Sequence, residues 1–84
     1  MNQAHDLLDV TIVSPEGPLF EGKTHSVILP GEKGVFEVLP NHKPLLSRIV
    51  MGEVMVEGHT IAVQRGIVKV ALNQVTAIVE TGTG

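Results

Sequence analysis

The side chains able to do chemistry are few and scattered. Four histidines stand at His5, His25, His42 and His59. Imidazole is both a metal ligand and a proton carrier near neutral pH. A metal site needs such ligands gathered at a short repeat, yet no two of them form an H-x-H or H-x-x-x-H pair, and no carboxylate recurs beside them. They read as surface histidines, and no metal is expected. Glu53 and Glu57 fall on one face of an alternating strand, which reads as a solvated polar face rather than an acid–base pair. Ser14 precedes a proline and Ser26 sits within a strand, so neither has the strand–turn–helix setting of a nucleophile. Gly31 and Gly34 have glycine spacing but no helix after them to complete a phosphate site. A lysine-carrying swinging arm fails on placement: the clearest hairpin turn is Gly58-His59, and Lys43 stands beside Pro44. No catalytic or cofactor-binding residue is assigned, and the chain is read as a binding module, not an enzyme.

Composition narrows the class further. Eighty-four residues allow one domain with a modest core, and 43% apolar content is ordinary for a folded chain. The apolar residues are mostly Val, Ile and Leu, with no Trp or Tyr, a palette suited to sheets but poor for stacking on bases or sugars. The net charge of −3, with Lys and Arg dispersed, offers no basic face for nucleic acid. Without cysteine there is no disulfide and no thiolate chemistry, which fits a reducing compartment. No apolar run approaches the roughly 20 residues of a membrane helix. The start, MNQAHDLLD, lacks the basic and apolar regions of a signal peptide. No direct membrane insertion and no small-molecule substrate are expected.

The elements that must position any binding residues are short strands. Leu8, Val10 and Ile12 alternate with polar residues, and Ser14 to Pro18 turns the chain. Leu19 to Glu21 is a brief strand ended by Gly22, and Thr24 to Leu29 is another. Pro30-Gly31 and Gly34 are turn signals, Val35 to Leu39 is a strand, and Pro40-Asn41-His42 turns again, because Asn tolerates positive φ. Leu45 to Val50 follows, broken by Gly52. Val54 and Val56 pair with Ile61 and Val63 across Gly58-His59. Ile67 to Leu72 pairs with Val75 to Glu80 across Asn73-Gln74; its β-branched residues argue against a helix. The prediction is one all-β domain over 1–84, an antiparallel β-sandwich or flattened barrel of about ten short strands with no substantial helix, and flexible ends at 1–6 and 81–84. Phe36 is expected to be buried and to anchor the run from Leu29 to Leu46.

That run, LPGEKGVFEVLPNHKPLL, resembles the signature stretch of the epsilon-subunit family of rotary ATP synthases. VTIVSPEGPLFEG, MGEVMVEG, VQRGIVKV and NQVTAIVE agree in order around it, so the resemblance runs from about Leu7 to Glu80. It implies a non-catalytic central-stalk subunit of a peripheral membrane complex, on the cytoplasmic side of the energy-transducing membrane. Such a subunit binds gamma, rests on the c-ring and couples proton- or sodium-driven rotation to ATP synthesis. It implies c-ring contact through Gly31, Glu32, Val35, Glu37, Pro40, Asn41, His42 and Lys43, and gamma contact through Leu45, Leu46, Ser47 and Arg48. The alternative is a stand-alone β-sandwich that binds a small ligand.

Three departures qualify the resemblance. The family usually carries an acidic residue at Val35 and glycine at Glu37, and a small residue at Arg65. Glu37 shares a face with Val35, so it is expected to take over the acidic contact, with Glu32 adding potential nearby. Family members commonly continue into a helical hairpin that restrains ATP hydrolysis and in some members binds ATP. The present sequence is read as the β-sandwich alone, a natural short form or an isolated domain, and is expected to do neither.

Overall fold

A computed structural model describes residues 6–82. The expectations for residues 1–5, including His5, and for 83–84 lie outside the described residues. Among the described residues there are nine strands and no helix: β1 (Leu8–Ser14), β2 (Gly17–Thr24), β3 (Val27–Gly31), β4 (Gly34–Val38), β5 (Leu45–Ile49), β6 (Gly52–Val56), β7 (His59–Val63), β8 (Arg65–Ala71) and β9 (Gln74–Glu80). They form one sheet in the order β2-β1-β9-β8-β5-β3-β6-β7, with β4 attached to β3. The sheet curls into a half-barrel. β3 is the point of exchange: its start pairs with Val56 and Met55 of β6, and its end, Gly31, pairs with Ile49 of β5.

The all-β class follows from alternation. In β9 the pattern from Gln74 to Glu80 is strictly exposed, buried, exposed, and Val75, Ala77 and Val79 enter the core. Leu8, Val10 and Ile12 of β1, Val27 and Leu29 of β3, and Val68 and Val70 of β8 meet them there. The core is aliphatic; Phe20 and Phe36 pack against its margin, half-buried. β-branched side chains suit such a pleated, tightly twisted surface.

Several local expectations shift. One pair is parallel: β1 lies beside β9 with Val10 opposite Val75 and Ile12 opposite Ala77. Pairing of the first strand with the last is set by closure of the sheet, which alternation alone does not encode. β2 runs through Gly22 to Thr24, because its ladder with β1 continues there: Gly22 pairs with Val10 and Lys23 with Asp9. The expected strand from Thr24 to Leu29 is therefore two pieces. Thr24 pairs with Leu8 of β1, the chain bends at His25, and β3 begins at Val27 to pair elsewhere. The last hairpin turns at Leu72-Asn73, one residue earlier than expected, so that Val70 opposes Val75 and both reach the core.

Candidate interaction surface

The residues singled out from the sequence occupy β4, the turns at its two ends, and β5. β4 pairs only with β3, through Glu37 opposite Ile28 and Val35 opposite Pro30, so its other edge is unpaired among the described residues. Its five residues span roughly 17 Å at strand rise. The turn carrying Glu32 and Lys33 lies at one end, and the turn carrying Pro40 and Asn41 at the other. The two candidate loops are thus separated by the length of the strand and joined by its bare edge.

On that strand Val35 (72% exposed) and Glu37 face outward together, while Val38 is buried and Phe36 half-buried. Val35 and Glu37 thus share the outward face of β4. Gly31 is buried; a Cβ there would lie 2.8 Å from Phe36 Cε1. Gly31 shapes the hairpin by admitting the ring, and Glu32 and Lys33 present its exposed tip. Phe36, expected to be buried, is only half covered because β4 is an edge strand with no further strand beyond it among the described residues.

The far turn is closed by the His42 N–H donating to the Leu39 carbonyl at 3.2 Å. Pro40 fixes the first central φ, and Asn41 takes φ 70, the combination a type II turn requires. His42 donates Nδ1–H to the Lys43 carbonyl at 2.6 Å, which fixes a proton on Nδ1. Lys43 is exposed. The turn is also held from outside. Asn73 Oδ1 accepts the Asn41 N–H at 2.5 Å, and Asn41 Nδ2 donates to Asp6 at 3.1 Å. Asp6, expected in a frayed end, is thereby engaged. Nothing in the sequence pattern announced the Asn41–Asn73 contact; its one signal is the asparagine in each turn.

β5 alternates. Leu45 and Ser47 are half-buried, with Leu45 against the core, while Leu46 (70% exposed) and Arg48 face outward. Arg48 opposes Ile67 of β8, which opposes Ile78 of β9, giving an outward row that is apolar next to the guanidinium. Arg65, another of the departures, forms an exposed cross-strand pair with Glu80 at 2.6 Å. Such a pair contributes about 0–1 kcal/mol.

The described histidines are dispersed. His25 bonds Glu57, His42 bonds a carbonyl, and His59 meets the Phe20 ring edge-on at 5.5 Å. Among the described residues no group of three His, Cys, Asp or Glu could hold a metal, and no helix is long and apolar enough to cross a membrane.

Short strands in a curled sheet, two-residue turns and a bare edge strand define a small β-sandwich domain whose prominent features are exposed turns. Residues 7–83 match the family model of the ATP synthase delta/epsilon chain β-sandwich domain, and the chain belongs to that family. The ATP synthase epsilon chain of a Nitratiruptor species is 44% identical over 80 residues, covering 89% of this chain and 62% of that protein. The epsilon chain of Bordetella parapertussis is 42% identical over 79 residues, covering 88% and 56%. The chain thus spans about 62% or less of these relatives' length. Among solved structures, a chain of the Tetrahymena thermophila mitochondrial ATP synthase central stalk and c-ring superposes with TM-score 0.77 at 12% identity, covering 87% of this chain and 63% of that one. A chain of the Euglena gracilis mitochondrial ATP synthase superposes with TM-score 0.78 at 16% identity, covering 87% and 50%. At such identities these two superpositions speak for the fold.

Proposed function

We propose that this domain is the β-sandwich of a central-stalk rotor subunit of a rotary ATP synthase. In this reading it joins the gamma subunit to the c-ring, supplies no catalytic residue and binds no cofactor. It couples ion-driven ring rotation to ATP synthesis performed elsewhere in the complex. Its place is peripheral, on the cytoplasmic side of the energy-transducing membrane.

The observation that carries the reading is the match over residues 7–83, with 44% identity to an epsilon chain across nearly the whole domain. The geometry is consistent with it. Glu32, Val35, Glu37 and the Pro40–Lys43 turn form a strip along one bare edge, which suits contact with the polar loops of a ring. Leu46 and Arg48 stand on the outward face of β5, which suits a second partner, gamma. The test is affinity capture from membranes with the tagged chain. Gamma and the c-subunit should be retained in stoichiometric amounts. Capture of neither, with the domain folded, would overturn the reading.

A further inference from the structure

We infer that Asn73 is a positioning residue for the Pro40–Lys43 turn, and through it for the partner contact proposed above, on which this inference rests. Among the described residues, the connection from Leu39 to Pro44 leaves β4 and enters β5 without strand neighbours of its own. Its two prolines have no N–H to give. Within the turn, one backbone bond of 3.2 Å closes Leu39 to His42. Its orientation relative to the sheet therefore depends on what grips it from outside.

Asn73 is so placed. It lies 32 residues along the chain from Asn41, at the tip of the β8–β9 hairpin, with φ 62. Its Oδ1 accepts the Asn41 N–H at 2.5 Å, and its Nδ2 points back at Asn41 Oδ1 at 3.4 Å. The Asn73 carbonyl accepts the Asp9 N–H at 2.8 Å, fastening the hairpin tip to the first residues of β1. One residue thus ties the turn to two strands of the sheet that lie beside each other, β1 and β9. Both asparagines adopt positive φ, which asparagine tolerates better than most residues, so the side chains meet without a bulky residue being strained. Asn41 in turn reaches Asp6, so the turn is anchored from two segments.

The experiment compares Asn73→Gly with Asn73→Asp in the same chain. Glycine keeps the positive φ and removes the amide; aspartate keeps the acceptor for the Asn41 N–H. In N73G, amide exchange at Asn41 should accelerate about tenfold, the factor of one net hydrogen bond, while exchange at Val68 and Val75 in the core stays unchanged. Capture of gamma and the c-ring should fall with it, and N73D, which keeps the acceptor for the Asn41 N–H but loses the Nδ2 donor, should recover part of both. Unaltered exchange at Asn41 in N73G overturns the inference. Accelerated exchange with unaltered capture removes the turn from the partner contact, and failure of the unmutated chain to capture either partner overturns the proposed function itself.

Discussion

Glu57 Oε2 accepts the backbone N–H of His25 at 3.0 Å, and by this bond the β6–β7 turn holds the corner between β2 and β3, 32 residues earlier. The His25 ring nitrogen Nδ1 lies 3.4 Å from the same oxygen. The backbone bond first, and the ring second, keep the Glu57 carboxyl below its ordinary pKa. A depressed carboxylate pKa contributes stability that is fully present above the unfolded value and is lost as pH falls through the folded one. The stability difference between the unmutated chain and Glu57→Ala should therefore shrink as the pH is lowered from the ordinary value of 4.5. Urea unfolding at stepped pH measures it; a difference that grows on acidification would reverse the assignment.

Leu72 is 93% exposed and has φ 51. With Asn73 it forms a two-residue turn in which both central residues have positive φ, the type I′ signature. Asparagine is favoured at the first of these positions, and leucine is strained there. Leu72→Asn should stabilise the domain by about 0.5–1 kcal/mol, read as a higher urea midpoint at unchanged slope. A lower midpoint would mean that Leu72 makes a contact its exposure conceals.

Much of this fold was legible because the hydrophobic alternation and the turn residues agree. Val54, Val56, Ile61 and Val63 announced β6 and β7, and Asn41 announced positive φ in its turn. Features that depend on one segment pairing with another were not legible. Gly22 looked like a terminator because nothing local shows that β1 lies alongside and pairs with it. The parallel pairing of β1 with β9 joins the two ends of the chain, where local pattern is silent. For the candidate surface, the resemblance supplied the residues, and the structure added that the two loops lie at opposite ends of β4 and that Asn73 grips one of them.

Gly66 is required inside β8. It pairs with Val79 and with Ile49, and a Cβ there would press on the Ile78 carbonyl and lie 2.9 Å from Val79 Cγ1. The first of these obstacles is backbone and cannot rotate away. Gly66→Ala should cost about 3 kcal/mol or more, toward the upper end for overpacking. Thermal unfolding would show it as a large loss in Tm; a loss below about 1 kcal/mol would mean the β8–β9 pair separates easily.

Phe36 covers Gly31 and touches the core margin, so its ring locks the β3–β4 hairpin. Because it is half-buried, Phe36→Ala should cost about 2–3 kcal/mol, below the range for a fully buried ring. Phe36→Leu should recover part of this. Chemical denaturation of the three proteins tests the order, and equal stability of Ala and Leu variants would show that the ring packs against nothing that matters.

Glu37 stands on the outward face of an edge strand, beside Val35 and opposite Ile28. If it supplies the acidic contact that the family resemblance implies for the position of Val35, its effect is electrostatic and screened by salt. A rim charge of this kind contributes about 0–1 kcal/mol and acts mainly on orientation and association rate. Glu37→Gln should slow association with the c-ring in low salt, and the difference should vanish as the Debye length falls to about 3 Å near 1 M salt. Folding stability should be unchanged, because the carboxylate is exposed and makes no ion pair among the described residues that its loss would break. The competing role is protection of the bare β4 edge from pairing with another chain. That role predicts self-association of Glu37→Gln, visible in sedimentation, with normal c-ring binding. Association kinetics at two salt concentrations, with His42→Ala alongside, separate the two. If His42→Ala disrupts binding while Glu37→Gln leaves it unchanged in low salt, the contact runs through the Pro40–Lys43 turn and the charge at Glu37 has no part in it.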